Sequence, residues 1–354
     1  MAKRVRVLLV APSAAIIGGQ GIQAARLREG FAAMPDLAIT FQPIDPELPF
    51  GLRRVPGLRT LASALKLWTQ LLFRIPRHDV THVFTAAYWG FLLWTTPAIL
   101  LGRLFGRPVI VNYRDGQCED HLRRWPGARA ALGMATRIVT PSGYLADVVG
   151  RFGLRGDVIF NLIDLSRFRY RERARLRPVF LSNRGLEPLY NIPCLFRAFA
   201  AIQQKYPEAR LIVANDGPLR ESLESLAGSL GLRNLDWRGR IQPSGMAAIY
   251  DEADVYLNSP DIDNMPGSLL ECFACGLPIV TTDAGGIPYM VKDGETALMT
   301  PAGDSDALAA AAIRILEEPG LSVRLTSQGL AEVARYGPAG VLEGWRSMYY
   351  TLTQ

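Results

Sequence analysis

The sequence predicts an α/β protein of two doubly wound domains, each a parallel sheet with helices on both faces. Three observations carry this reading. Short apolar runs of strand length alternate with stretches of helical periodicity from one end of the chain to the other. The first run, Val5 to Val10 (VRVLLV), is almost continuously apolar, as a strand buried on both faces is. A length of 354 residues, with 49% apolar and 20% charged residues, suits two ordinary domains with sizeable cores.

Charge divides along the same line. The net charge is +6, made of +14 over residues 1–177 and −8 over residues 178–354. A basic half beside an acidic half points to an anionic partner for the first, such as a membrane surface or a phosphorylated acceptor. No recognition helix, zinc finger or aromatic-basic RNA motif is present, so nucleic acid is not expected as a partner. The four cysteines (118, 194, 272, 275) form no disulfide framework and no signal peptide is read, which implies a reducing, cytoplasmic setting. Cys272 and Cys275 read as small buried helix residues, because no second pair and no histidine cluster accompanies them. No metal and no cofactor is expected.

The first domain is read over residues 1–167. After the first strand comes a Gly-rich loop holding Gly18, Gly19 and Gly21, then a helix from Gln20 to Ala33. Gly19-x-Gly21-x-x-Ala24 fits a dinucleotide fingerprint formally, but a loop of about eight residues separates it from the strand, where the fingerprint needs its first Gly at the strand's end. Leu37 to Gln42 is a second strand. Gly51 to Arg77 then sets Leu58, Leu61, Leu65, Trp68, Leu72 and Phe73 at helical spacing among arginines, an amphipathic basic helix. Two readings stand for it: contact with a membrane surface, or packing on its own domain. Asp79 to Thr85 and Pro108 to Asn112 are strands. Between them, Tyr88 to Phe105 is strongly apolar, but Pro97 and Gly102 interrupt it and its uncharged run is too short to span a bilayer. His121, beside Glu119 and Asp120, reads either as a surface residue or as an acceptor contact. Arg137 to Thr140 is a strand and Leu145 to Phe152 a helix. Arginine at 167, 169, 171, 173, 175 and 177 marks Phe168 to Arg177 as a linker of solvated charge or the basic rim of a cleft.

The second domain is read over residues 178–336. Pro178 to Ser182 is a strand followed by Asn183-Arg184-Gly185. Arg210 to Ala214 is a strand followed by Asn215-Asp-Gly217, and Trp237 to Ile241 reads as another. The organising stretch is Asn258 to Gly286 (NSPDIDNMPGSLLECFACGLPIVTTDAGG). Pro266 suits a helix's first turn, residues 269, 270, 273 and 274 hold its apolar face, and Gly276 and Pro278 stop it. Its N-terminus, at Gly267 and Ser268, offers free N–H groups and partial positive charge that can hold a phosphate. Glu271 in the helix body can accept two hydrogen bonds from a ribose diol, and Asp263 in the preceding loop can reach a sugar. A final helix in residues 337–354 is expected to return to the first domain.

The acid pair Asp263 and Glu271, eight residues apart, with the run GLPIVTTDAGGIP after it, resembles the signature of retaining glycosyltransferases of GT-B fold, family 4 (group 1) type. The resemblance is dense from about 178 to 300 and looser before that. It implies two Rossmann-like domains facing a cleft, and metal-independent transfer of a hexose from a nucleotide-sugar donor to an acceptor such as a lipid-linked or cell-surface glycan precursor. It implies that Arg184, Pro266, Gly267 and Ser268 hold the donor diphosphate, that Glu271 takes the ribose, and that Asp263 takes a sugar hydroxyl. The Gly18-Gly19 loop would approach the diphosphate, and Gly217 matches the family's donor-side Gly loop. It further implies peripheral contact with the inner membrane face through the basic first domain.

Two positions depart from the family pattern. Tyr190 stands where a second phosphate-binding cation, a lysine, is usual. The acceptor-side histidine after the strand at 108–112 is absent, Tyr113 or Arg114 standing there, so His121 is the substitute considered. Three other readings stay open: a sugar-nucleotide epimerase of the same architecture, a non-catalytic nucleotide-sugar binder, and an NAD(P) enzyme using the glycines at 19–24.

Overall fold

The computed structural model describes residues 4–13, 19–47, 56–173 and 175–354. The chain divides into two compact units, Met1–Leu162 with Pro338–Gln354, and Ile163–Gly337. Each is built on one six-stranded sheet, with every pairing parallel. The expectation of an α/β chain of two doubly wound domains is met.

In the first unit the strands are β1 (Val5–Ala11), β2 (Leu37–Pro43), β3 (Val80–Thr85), β4 (Val109–Tyr113), β5 (Arg137–Thr140) and β6 (Gly156–Val158), in the order β2-β1-β3-β4-β5-β6. The helices are α1 (Gly19–Ala32), α2 (Pro56–Arg74), α3 (Thr96–Leu104), α4 (Cys118–Arg124), α5 (Pro126–Gly133) and α6 (Gly143–Arg151). The apolar run at 88–105 becomes a π-turn, Phe91–Thr95, leading into α3. Ser142 caps α6 by accepting a hydrogen bond from the Leu145 N–H. The C-terminal helix, Pro338–Thr351, packs in this unit, with Trp345 and Tyr349 buried against Val7, Phe31 and Phe84.

That helix covers a buried histidine. His82, fully buried in β3, stacks between Phe84 and Trp345 with ring centroids 5.3 and 4.2 Å away. Asn112 donates to its Nε2 (3.0 Å), which leaves the proton on Nδ1 for the Tyr349 hydroxyl (2.7 Å). Burial, with the nearby Arg114 charge, pulls the imidazole down to a pKa of about 3.

In the second unit the strands are β7 (Val179–Ser182), β8 (Arg210–Val213), β9 (Leu235–Trp237), β10 (Val255–Leu257), β11 (Ile279–Thr282) and β12 (Leu298–Thr300), in the order β12-β11-β10-β7-β8-β9. Its helices are α7 (Ile192–Lys205), α8 (Arg220–Ser229), α9 (Met246–Glu252), α10 (Gly267–Cys275), α11 (Ser305–Glu317) and α12 (Leu321–Val333). The strand read at 237–241 ends at Trp237, because Gly239 turns away with φ +63°.

The arginine-rich segment is neither a solvated linker nor a basic rim along its length. Residues 163–177 group with the second unit, and Arg171, Arg173 and Arg177 close around Asp254, whose side chain is 1% exposed. Arg171 Nη2 and Arg177 Nε donate to its carboxylate at 2.9 and 2.8 Å. Arg173, itself buried, donates to the carbonyls of Tyr250, Ala253, Cys275 and Gly276. The i, i+2 spacing that puts arginines on one side of an extended strand thus serves the unit's own underside.

Candidate functional site

Neighbouring parallel strands bring their following loops together at the carboxyl edge of a sheet, where doubly wound folds bind ligands. In the second unit the central order β11-β10-β7-β8 does this for the four loops the sequence singles out. Arg184 follows β7, Gly217 follows β8, Asp263 lies between β10 and α10, and Gly285-Gly286 follow β11.

Close approach of backbone fixes those loops. A Cβ on Gly286 would lie 1.9 Å from the Asn264 carbonyl oxygen, and one on Gly285, at φ +57°, 2.2 Å from that of Asp263. The Gly286 N–H donates to the Asp263 carbonyl at 2.7 Å. The two glycines are there to let the loop after β11 support the backbone that carries Asp263. A Cβ on Gly217 would likewise lie 2.6 Å from the Leu186 carbonyl, so Gly217 packs the loop after β8 against the one that carries Arg184.

The side chains converge. Arg184 Nη2 donates to Asp263 Oδ2 at 2.5 Å and Nη1 to Ser268 Oγ at 3.4 Å, and its guanidinium lies 4.1 Å over the Tyr190 ring. The Arg184 and Asp263 side chains are only 13% and 12% exposed. Burial works against the Arg184 charge, yet Asp263 and the surrounding tyrosines outweigh it, and the group stays fully cationic. Its buried Nε has no hydrogen-bond partner among the described residues. Pro266 precedes α10 and gives no side-chain cap, so the first turn at Gly267 and Ser268 keeps its leading N–H groups for an incoming anion.

Glu271 is half-buried one turn further along α10. The Tyr250 hydroxyl donates to its Oε2 at 2.6 Å. Behind it runs a chain the sequence reading missed: Asn183 donates to the Tyr250 oxygen (2.7 Å), and the Tyr256 hydroxyl donates to Asn183 Oδ1 (2.6 Å). Burial, and then the Glu271 charge, raises the Tyr250 pKa far above its ordinary value, so it is a fixed donor at any working pH. Only Asn183, directly before Arg184, could have been suspected from sequence; the tyrosines sit on α9 and β10 and register alone brings them in. Asp261 turns away from Asp263 and accepts from Asn191 Nδ2 at 2.8 Å. Cys272 and Cys275 are buried, and burial raises both thiols.

The first-unit candidates fare differently. Gly18 lies outside the described residues. Gly19 opens α1, and among the described residues no atom lies within 4 Å of where its Cβ would be. His121, read as either a surface residue or an acceptor contact, is neither: it belongs to the core. It is fully buried on the inner side of α4, with the Tyr88, Phe91 and Trp125 rings 5.1 to 5.5 Å away. Tyr113 Oη meets its Nδ1 at 2.6 Å, while Nε2 is buried with no hydrogen-bond partner among the described residues. The side chain therefore presents nothing to solvent. Arg114, at the end of β4, lies 5.2 Å over the Phe84 ring, and burial lowers its pKa to about 9. At the carboxyl ends of β1 and β2 a cavity of about 770 Å³ opens, lined by Ser13, Phe41, Asp45, Glu47, Thr60 and Trp94 among others. Asp45 accepts from both the N–H and the hydroxyl of Ser13 there.

Residues 177–318 match the family profile described as glycosyl transferases group 1. The chain is 30% identical over 178 residues to a phosphatidyl-myo-inositol mannosyltransferase of Mycobacterium leprae, covering 50% of this chain and 47% of that protein. It is 29% identical over 191 residues to a GDP-mannose-dependent alpha-(1-6)-phosphatidylinositol monomannoside mannosyltransferase of Mycolicibacterium smegmatis, covering 51% and 48%. The matches thus span about half the length of these curated relatives. Among solved structures, Anabaena HepE in complex with UDP superposes with a TM-score of 0.78 at 14% identity, covering 98% of this chain and 100% of that one. Sucrose-phosphate synthase of Thermosynechococcus elongatus does so at 0.76 and 19% identity, covering 99% of each. At these identities the likeness is one of fold.

Proposed function

We propose that this chain, whose residues 177–318 form a group 1 glycosyltransferase domain on a GT-B fold, transfers a sugar from a nucleotide-sugar donor to an acceptor with retention of anomeric configuration. The observation that carries the reading is the junction of Arg184, Asp263 and the uncapped start of α10 at one sheet edge, with Glu271 one turn along. In the proposed reaction the Arg184 guanidinium and the N–H groups of Gly267 and Ser268 receive the departing diphosphate, whose charge grows as the glycosidic bond breaks. Glu271, steadied by Tyr250, accepts from the ribose hydroxyls. Asp263 exchanges its bond to Arg184 for a sugar hydroxyl when the donor arrives, which frees the cation for phosphate. A same-face displacement assisted by the leaving oxygen needs no protein nucleophile and no metal.

The acceptor is assigned to the first unit, with the cavity beside β1 and β2 as its site. Relatives named for phosphatidylinositol substrates, and the basic charge of residues 1–177, support an acceptor carried on a lipid and work at the cytoplasmic membrane face. No helix among the described residues is long and apolar enough to cross a membrane. A hexosyl donor is the proposed sugar class.

The test is calorimetric titration of UDP, GDP and ADP into the wild type and Glu271→Ala. One diphosphate should bind, and the variant should lose about 1–3 kcal/mol, as when a buried polar group loses its partner. Binding that ignores Glu271 would refute the donor site. A product of inverted configuration would refute retention. The second reading, a non-catalytic binder, is favoured by the Tyr190 ring occupying the place of a second cation; donor binding with neither transfer nor slow donor hydrolysis would select it.

A further inference from the structure

Helix α2 carries two apolar stripes. Ala64, Leu67, Leu71 and Ile75, just past its end, are buried and anchor the helix to its unit. Leu61, Leu65, Trp68 and Leu72, at i, i+4, i+7 and i+11, form a second stripe about a quarter-turn round the helix, and they are 56, 50, 38 and 40% exposed. Own-unit packing therefore accounts for only one of them. The outward stripe does not stand alone. Its Leu65, Trp68 and Leu72, with Leu92, Pro97 and Leu100, line an apolar groove of about 670 Å³ between α2 and α3, where the Trp68 indole donates to the Leu93 carbonyl at 2.7 Å. Leu104, 72% exposed, extends the surface along α3, and Phe73, 61% exposed, extends it along α2.

The charges around this surface have one sign. Residues 59–107 hold six Lys or Arg and a single acid, Asp79, which is already paired with Arg6. Arg77 is fixed beside Phe73 by a bond to its carbonyl, and Arg103 sits between Leu100 and Leu104 on α3. Among the described residues, neither Arg77 nor Arg103 has a carboxylate partner. Exposed apolar side chains rimmed by unpaired cations are complementary to one kind of surface, an interface of acyl chains beneath anionic headgroups. A second copy of this chain fits poorly, because an isologous contact would set the same cations against each other.

We propose that the α2–α3 face docks on an anionic lipid leaflet, with the outward stripe of α2 and the exposed leucines of α3 in the headgroup–acyl boundary and Arg77 and Arg103 on lipid phosphates. This deepens the proposed function and rests on its placing of the chain at a membrane. The docking would hold the first unit's cavity near the leaflet, because Leu93 lines both cavity and groove.

The full chain is sedimented with vesicles of phosphatidylglycerol and phosphatidylcholine, and with phosphatidylcholine alone. Binding is expected to be at least tenfold tighter with the anionic lipid. It should weaken roughly fivefold for each of Arg77→Gln and Arg103→Gln. Leu65→Glu with Leu72→Glu, at exposed positions that leave the fold intact by circular dichroism, should weaken it at least tenfold. Failure to bind anionic vesicles, or equal binding by the double variant, overturns the inference. So does a dimer in solution whose α2 is protected from hydrogen exchange, since a second copy would then own the face. Diphosphate titration in the absence of lipid separates the two proposals: nucleotide binding without vesicle binding sinks only the docking, and the converse sinks only the donor site.

Discussion

The two units meet the same problem, a polar group beneath a parallel sheet, with opposite chemistry. In the first, β3 carries His82 into a shell of Phe84, Trp345 and Tyr349, where burial keeps the imidazole neutral. In the second, the residue before β10 is Asp254, which stays ionised because Arg177 and Arg171 donate to it against the cost of burial. One unit has shed the charge and the other has paired it. The difference teaches where each unit is vulnerable. A neutral buried base is lost to acid early, while a paired carboxylate resists acid but not removal of a partner. The second unit repeats its solution at the functional edge, where Arg184 and Asp263 form another nearly buried pair.

The largest expected effect removes the cation of that second pair. Arg184→Ala takes away the one guanidinium that pairs with Asp263 among the described residues, and the group proposed for the leaving diphosphate. The expected loss in kcat is about 10²–10³-fold, the scale seen when one preorganised transition-state donor is deleted. Steady-state kinetics measures it once an acceptor is found, and calorimetry of diphosphate binding measures the ground-state share before then. Unchanged diphosphate affinity and unchanged turnover would mean the pair only holds the loop. Next comes Asp254→Asn, which strands buried Arg173 beside Arg171 and Arg177. Breaking such a cluster should cost about 3 kcal/mol, confined to the second unit. Hydrogen exchange resolved along the chain should show weaker protection in β10 and α9 and unchanged protection in β1 to β4.

Acid sharpens the contrast. The pKa of His82 is depressed in the folded state, so the unfolded chain takes up a proton that the folded chain refuses. Its contribution is complete above about pH 6.5 and is lost as pH falls toward 3, at about 1.4 kcal/mol per unit. His121, lowered mainly by burial, acts in the same direction. The pKa of Asp254 is also lowered, but for an acid this means its stabilisation persists until pH falls below the ordinary carboxylate range. On acidification from pH 7 to 5 the first unit should lose protection while the second keeps it. In His82→Gln that early loss should shrink. Simultaneous loss in both units would break the comparison.

How much of this was legible follows from what each feature depends on. The two sheets were readable because buried parallel strands leave continuous apolar runs, and the grouping of Asp263 and Glu271 around the start of α10 because a loop, a helix start and two acids lie within thirty residues of one another. The environment of an isolated residue was not. His121 has acids beside it in sequence and reads as exposed, yet the α4 turn faces it into the Tyr88 and Phe91 rings, some thirty residues earlier, and the Trp125 ring at the helix's own end. The arginines at 171, 173 and 177 read as solvated for the same reason, since their partner, Asp254, is some eighty residues away. Tyr250 and Tyr256 carry no motif at all. Local periodicity reports which face of an element is apolar, and only the assembled sheet reports what it faces.

The smallest effect concerns Tyr190, which stands where the resembling glycosyltransferases usually carry a second cation. Its ring under Arg184, 4.1 Å from the guanidinium, steadies a charge that burial disfavours. A cation–π contact of this kind contributes about 0.5–2 kcal/mol. Tyr190→Leu should weaken diphosphate binding by that amount and Tyr190→Phe hardly at all, since the ring and not the hydroxyl does the stacking. Tyr190→Lys gives up the ring but adds a hydrogen-bonding charge of about 1.5–3 kcal/mol toward phosphate. The net gain should be near 1 kcal/mol, roughly fivefold in affinity, with a steeper dependence on salt. If the lysine variant binds as weakly as the leucine variant, the second cation has no phosphate to meet, and the tyrosine belongs to the site as the support of Arg184 alone.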